Sequence, residues 1–237
     1  MTERDQDAPY QRQIRSFVRR EGRLTPAQSR AIETQWPRYG LDYDGQPIDF
    51  DAVFGRSAPR VLEIGIGNGD ALVHMSGNDL DRDYVGIEVH TPGIGHALRG
   101  LGEQGNDNAR LMHHDAMDVL THSLAEGGLA QVNLYFPDPW PKKRHHKRRI
   151  VQKPFLDLVV RALGPGGVLH MATDWEPYAQ WMLDELLADE RFRNLAPGTD
   201  LSTGAIERPD ERPLTRFEKR GHRHGHDVWD FKFARRK

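Results

Sequence analysis

Asp138 is a lone acid between Pro137 and Pro139, and six cations follow it closely: Lys142, Lys143, Arg144, Lys147, Arg148 and Arg149. Each proline fixes φ near −65° and restricts the residue before it, so the direction of the carboxylate is largely set before any ligand arrives. A single acid at the mouth of a basic run suits chemistry performed beside a polyanion, although such a run on its own is equally an ordinary solvated surface. Further acids, Glu63, Glu88, Asp115 and Asp174, stand at or just beyond the ends of segments that read as strands. Taken singly, each of them is an ordinary helix N-cap. Together they would line one edge of a sheet with carboxylates.

Gly65-Ile-Gly67-Asn-Gly69 follows the first of those segments. Glycines there permit positive φ and close backbone approach, but the third glycine of a dinucleotide fingerprint is replaced by Asp70. The turn gains meaning from Glu88, 19 residues after Gly69, where an acid accepts hydrogen bonds from the two hydroxyls of a ribose. A pyrophosphate wants helix N-termini and cations, and an edge of carboxylates offers it neither. S-adenosylmethionine carries a sulfonium and an ammonium, which acids attract, and its adenine amine can donate to Asp115. The pattern therefore predicts that cofactor over a nicotinamide, with Glu63, Gly65, Gly67, Glu88 and Asp115 around it.

The elements that must position these residues alternate regularly. Segments 60–65, 84–89, 109–113, 131–136 and 168–172 read as strands, with helical stretches between them and after the last, at 175–187. Val228 to Phe233 alternates as a late half-buried strand, with Trp229, Phe231 and Phe233 on its apolar face. Strand–helix repetition of this kind gives a mostly parallel α/β sheet with helices on both faces, and ligands bind at the carboxyl ends of its strands. Residues 1–58 lack strong strand signals. Arg12, Arg15, Arg19, Arg20 and Arg23 make them a basic arm, packed on or near a domain spanning 59–237.

The chain has 237 residues and a formal charge of −2, which conceals a marked asymmetry. Positions 174–190 hold six acids and no Lys or Arg, whereas Arg212 to Lys237 holds nine Lys or Arg against three acids. Basic blocks let a nearly neutral protein bind a polyanion on one face. With no cysteine, disulfides, thiolate zinc sites and a cysteine nucleophile are excluded. The polar N-terminus and the lack of a long apolar run predict a cytoplasmic protein away from the membrane. His222, His224 and His226, like the pairs at 113–114 and 145–146, lack the acid pattern of metal motifs, so no metal is expected.

Val61-Leu-Glu-Ile-Gly-Ile-Gly-Asn-Gly69, Gly86-Ile-Glu-Val-His90, Phe136-Pro-Asp-Pro-Trp-Pro-Lys-Lys-Arg-His145, Lys147-Arg-Arg149 and Thr173-Asp-Trp175 resemble the bacterial tRNA guanine-N7 methyltransferases. So do Thr215-Arg-Phe-Glu-Lys-Arg-Gly221 and Gly225-His-Asp-Val-Trp-Asp230. The resemblance runs from about Arg12 to the C-terminus. The Asp-Pro-Trp corner and the Thr-x-Phe-Glu motif are its specific parts. It implies a Rossmann-like class I methyltransferase that uses S-adenosylmethionine to methylate guanine N7 in the variable loop of tRNA, as a monomer or homodimer. By position it places Glu63, Glu88, Asp115 and Asp138 at the cofactor, and Lys142, Asp174, Thr215, Arg216, Phe217 and Glu218 at the substrate. It makes Asp138 catalytic and Arg144, His145, His146, Lys147, Arg148 and Arg149 the tRNA-binding stretch. Pro141 falls where the family varies, and His146 is an additional histidine beside the matching His145.

Asp138 could hold the cofactor ammonium or accept hydrogen bonds from the guanine N1–H and exocyclic amine. Trp140 could stack on the target base or pack the corner. Glu218 could face the base or pair with Arg220. Two other classes fit parts of the pattern: a catalytically silent tRNA-binding protein, and an amino-group methyltransferase with a related strand-four corner.

Overall fold

The computed structural model describes residues 15–17, 22–215, 218 and 227–237. Its elements run in chain order as α1 (Pro26–Tyr39), α2 (Phe50–Phe54), β1 (Arg60–Ile64), α3 (Asp70–Asn78), β2 (Asp83–Ile87), α4 (Thr91–Gln104), β3 (Ala109–Met112), α5 (Ala116–His122) and β4 (Leu129–Tyr135). A 3-10 turn over Lys143–Arg148 follows, then α6 (Lys153–Ala162), β5 (Leu163–Thr173), α7 (Glu176–Leu187), β6 (Phe192–Asn194), α8 (Leu201–Gly204) and β7 (Trp229–Arg235). The seven strands form one sheet in the order β3-β2-β1-β4-β5-β7-β6. β1 to β5 are parallel, and β7 enters antiparallel between β5 and β6.

The strand order reverses between β1 and β4, so their carboxyl ends flank the crevice where a parallel sheet takes its ligand. Val61, Leu62 and Ile64 of β1 are nearly inaccessible, as strands covered on both faces require. One face packs against α1, α3 and α4 through Val61, Tyr84, Leu72, Ala97 and Leu98. The other packs against α5, α6 and α7 through Leu62, Val132, Val119, Val159 and Met182.

Part of the segment expected as an arm is ordered on this core. Pro26 opens α1 behind Thr25, whose side chain forms a capping box with Gln28. Small residues on α4 admit α1 closely: a Cβ at Gly95 would lie 2.8 Å from the Gln28 side chain, and one at Gly102 2.9 Å from that of Gln35. The Tyr39 hydroxyl donates to the Leu101 carbonyl at 3.1 Å.

β7 departs from the half-buried reading. Phe231 and Phe233 are buried as expected, but Asp230 on the opposite face is buried too, while Trp229 is only partly covered. The strand is interior, between β5 and β6, and its polar face carries a buried ionic cluster. β6 escaped the sequence reading because three residues are too few to show alternation. No helix among the described residues is long and apolar enough to cross a membrane.

Candidate active site

β1 delivers Glu63 and then turns through glycines. Gly65 and Gly67 have φ of 70° and 56°, and a Cβ on either would meet no atom within 4 Å, so the backbone lines open space. Gly69, also at positive φ, serves packing instead: its Cβ would lie 2.4 Å from that of Ala97 on α4. Glu88, just beyond β2, organises this turn. Its Oε2 accepts from the Gly67 N–H at 2.8 Å, and its Oε1 accepts from the N–H groups of Val89 and His90 at 2.7 and 2.9 Å. Three charge-assisted bonds fix the carboxylate, and Oε2 retains acceptor capacity toward the cavity. Asp115 caps α5 by accepting from Met117 N–H at 3.0 Å, so the ordinary N-cap role is realised while the residue also lines the cavity. Beside it, His114 stacks on Tyr43 at 3.8 Å between ring centroids.

Glu63 is 2% exposed, and its Oε2 has no hydrogen-bond partner among the described residues. Burial, and secondarily the charge of Glu88, pushes its pKa up to about 8. A folded-state pKa above the unfolded value of 4.5 means that the native chain holds a proton the unfolded chain has released. The associated stability is present below about pH 4.5 and is lost as pH rises to about 8. Glu63→Gln removes this dependence. Urea midpoints measured from pH 5 to 9 will fall more steeply for the wild type than for the variant, and parallel curves would contradict the assignment. A cation brought beside Glu63 would restore its carboxylate, which is the complement that the ammonium of S-adenosylmethionine offers.

Directly after Glu63 the chain reaches a cavity of about 670 Å³, lined by Gly65, Glu88, Asp115 and the corner Phe136–Pro141, and also by Ser16 and Phe17. The volume lies within the range of small-molecule sites. An unpartnered buried acid, open glycine backbone and acids at both ends fit S-adenosylmethionine.

The corner is strained. Phe136 and Trp140 adopt φ of 51° and 45°, in a region that bulky side chains rarely enter and that costs about 1–3 kcal/mol per residue. Surrounding contacts hold both. The Phe136 N–H donates to the Ala172 carbonyl at 2.8 Å. The Trp140 indole N–H donates to the Ser16 carbonyl at 3.0 Å, and the Arg148 guanidinium lies 3.7 Å from its ring centroid. Trp140 thus packs the corner. Asp138 projects from the apex, exposed and lining the cavity mouth.

The basic run is sorted by its 3-10 turn, in which side chains three apart align. His146 and Arg149 form the inward row. His146 and Trp181 pack edge to face with 5.9 Å between ring centroids, and the Arg149 guanidinium lies 4.9 and 5.0 Å from the Tyr178 and Trp181 centroids while donating to the Pro139 carbonyl at 3.0 Å. His145 and Arg148 lie against Trp140, and Arg148 also donates to the carbonyls of Arg15 and Phe17. Arg144 and Lys147 face solvent, as do Lys142 and Lys143. Desolvation, followed by Arg144, Arg148, Lys142 and Lys147, lowers the pKa of His145.

Arg149, expected to bind phosphate, is 3% exposed and is a brace for the corner. Arg149→Ala should therefore destabilise the fold by about 2–4 kcal/mol, through a lost charged hydrogen bond and two ring contacts. Denaturant titration checks this, and an unchanged midpoint would contradict it.

Asp174 lies at the end of β5, half-buried. Thr215 Oγ1 accepts from the Glu218 N–H at 3.2 Å. Glu218, expected at the substrate, is 1% exposed, and both its oxygens accept from Arg212 at 2.7 and 2.9 Å. It belongs to the foundation of the site, with Arg212 as its partner, and Arg220 lies outside the described residues. Arg216, Phe217 and the 222–226 histidines lie outside the described residues. Among the described residues, no cluster of His, Asp or Glu could hold a metal ion. Arg212 itself escaped the sequence reading. The signal available was His170 and Asp230, polar residues inside otherwise apolar strands, which require a buried partner.

Comparison with known proteins adds an independent line. A family described as "Putative methyltransferase" matches residues 57–231. A tRNA (guanine-N(7)-)-methyltransferase of Shewanella sp. strain MR-4 is 54% identical over 98% of this chain and 95% of its own length. Its counterpart in Shewanella denitrificans is 55% identical over the same shares. Among solved structures, the 16S rRNA methyltransferase KamB superposes with a TM-score of 0.54 at 14% identity, covering 81% of this chain and 95% of its own. A 16S rRNA (adenine(1408)-N(1))-methyltransferase from Catenulisporales acidiphilia, solved with its cosubstrate, gives a TM-score of 0.52 at 18% identity, covering 83% and 93%. These two share the fold.

Proposed function

Because this chain belongs to the tRNA (guanine-N(7)-)-methyltransferase family, we propose that the cavity and its corner methylate guanine N7 in the variable loop of tRNA. The chain is an S-adenosylmethionine-dependent methyltransferase. When bound, the cofactor supplies an activated methyl on a sulfonium. Glu88 would receive its ribose hydroxyls, Asp115 its adenine amine and Glu63 the positive charge of its amino group, with the backbone at Gly65 and Gly67 against it. Guanine N7 carries a lone pair and has no proton to lose, so no side chain has to act as a base toward it. The work of the chain is to align the base and exclude water.

Asp138 is the exposed acid at the cavity mouth, whereas Glu63 and Glu88 lie buried beneath. That placement supports Asp138 as the acceptor for guanine N1–H and the exocyclic amine. A carboxylate there selects guanine over adenine and raises electron density on the ring. Lys142 directly follows Pro141 of the cavity lining, and Asp174 follows the last residue of β5, the strand beside β4, so both are candidates for the substrate contacts that the family's positions imply. Arg144 and Lys147, with Lys142 and Lys143, make the phosphate-facing row, and a tRNA substrate suits an enzyme working in the cytoplasm.

The observation that carries this reading is an acid on a strained corner at the mouth of an acid-lined cavity, with cations turned outward beside it. Labelled methyl transferred to unmodified tRNA and recovered as 7-methylguanosine from the variable loop would bear it out. Binding of tRNA without transfer would point to a silent binding protein. Arg144→Ala or Lys147→Ala should each lower the salt slope of tRNA binding by about one unit. An unchanged slope would remove that residue from the phosphate contacts.

A further inference from the structure

Arg212 heads the fully buried side chains by volume among the described residues, and it is a cation. Its guanidinium makes two bidentate pairs. Nε and Nη2 donate to the two oxygens of Asp230 at 2.8 and 2.6 Å, and Nη1 and Nη2 donate to those of Glu218 at 2.7 and 2.9 Å. Asp230 Oδ1 also meets His170 Nε2 at 2.8 Å, and His170 Nδ1 meets the Tyr135 hydroxyl at 2.9 Å. The cluster thus joins β4, β5, β7 and the segment before β7.

Tyr135 is the last residue of β4, and Phe136, in the left-handed region, begins the corner. The guanidinium carbon of Arg212 lies 5.7 Å from the Tyr135 ring centroid and 5.6 Å from that of Phe136. Burying a cation with two carboxylates carries a large desolvation cost, and apolar side chains of similar volume commonly give equal or greater stability. What two planar forks provide is a single orientation.

We propose that Arg212 is a positioning residue for methyl transfer. Through Tyr135 and Phe136 it holds the corner from which Asp138 projects, and through Glu218 it ties the Thr215 segment to that corner. The proposal rests on the reading of the site given above.

Arg212→Lys keeps the charge and loses the forks and the flat face. At saturating tRNA and S-adenosylmethionine, kcat per titrated cofactor site should fall by about 30–100-fold, the scale of a misplacement near 1 Å. The Kd for S-adenosylmethionine by calorimetry and the KM for tRNA should stay within about threefold. A merely structural residue would lower the melting temperature and the yield of cofactor sites while leaving kcat per site intact, and that result overturns the proposal. A double-mutant cycle with Phe136→Leu adds a second reading. Acting through Phe136, the two losses are not multiplicative, and full multiplicativity overturns that route. Should Arg212→Lys not fold, Asp230→Asn removes one charged fork and should still lower kcat per site by about tenfold. Unchanged kcat there also overturns the proposal. Wild-type protein that binds S-adenosylmethionine yet transfers no methyl to tRNA would instead refute the functional reading on which this one rests.

Discussion

Asp138→Ala is expected to lower kcat/KM for tRNA by about 10²–10⁴-fold, with the Kd for S-adenosylmethionine changed by less than about fivefold. Two hydrogen bonds from guanine N–H groups to a carboxylate are each worth about 1.5–3 kcal/mol, and every 1.4 kcal/mol is tenfold in rate. The position favours a clean experiment. Asp138 is exposed at the apex of a corner held by other residues: Pro139 by Arg149, Trp140 by Ser16 and Arg148, and Phe136 by the β5 carbonyl of Ala172. The melting temperature, measured beside the kinetics, separates loss of a contact to the base from a disturbed corner. Asp138→Asn retains one acceptor and presents a donor to the second guanine N–H, and its activity should fall between the two. Steady-state kinetics on unmodified tRNA decides the matter. Near-normal turnover by Asp138→Ala would remove it from the chemistry.

Glu88→Ala is expected to weaken S-adenosylmethionine binding by about 10²-fold or more. The loss has two sources. The ribose forfeits its acceptor, and the N–H groups of Gly67, Val89 and His90 lose theirs at once. Gly67 and Val89 are only partly covered and His90 is exposed, so water can take up those bonds, but without the carboxylate nothing ties the three N–H groups together and the open cradle at Gly65 and Gly67 will not be preformed. Glu88→Gln is no rescue. Its amide oxygen can serve Val89 and His90, but its NH2 then faces the Gly67 N–H, donor against donor. Calorimetric titration should show both variants weakened by at least about tenfold, with Ala the worse. A Gln variant that binds like the wild type would show that the carboxylate's charge and its contact with Gly67 are dispensable.

The local parts of this site were legible because they are written in consecutive residues. Strand ends bearing acids, the glycine turn and the Pro-Asp-Pro-Trp corner fall where their spacing places them. Direction was not legible. The run from Lys142 to Arg149 reads as uniformly basic, and only the packing of its end against Tyr178 and Trp181 separates Arg149 inside from Arg144 and Lys147 outside. Nor does the sequence show pairings across long separations. Arg212 looks like one more cation in a basic tail until β7 inserts beside β5 and brings Asp230 and His170 to it. Glu218 likewise sits within a motif whose other members suggest substrate contact, yet both its oxygens go to Arg212. Buried ion pairs between distant residues leave no periodic trace; a polar residue within an apolar strand is their only local sign.

The acceptor atom is the centre of the account, and unmodified tRNA compared with tRNA carrying 7-deazaguanine in the variable loop tests it most directly. With labelled S-adenosylmethionine, the account predicts transfer to the first and none to the second, since the deaza base keeps its Watson–Crick edge and lacks only the nitrogen lone pair. Equal transfer to both would contradict it and move the acceptor to another atom of the base.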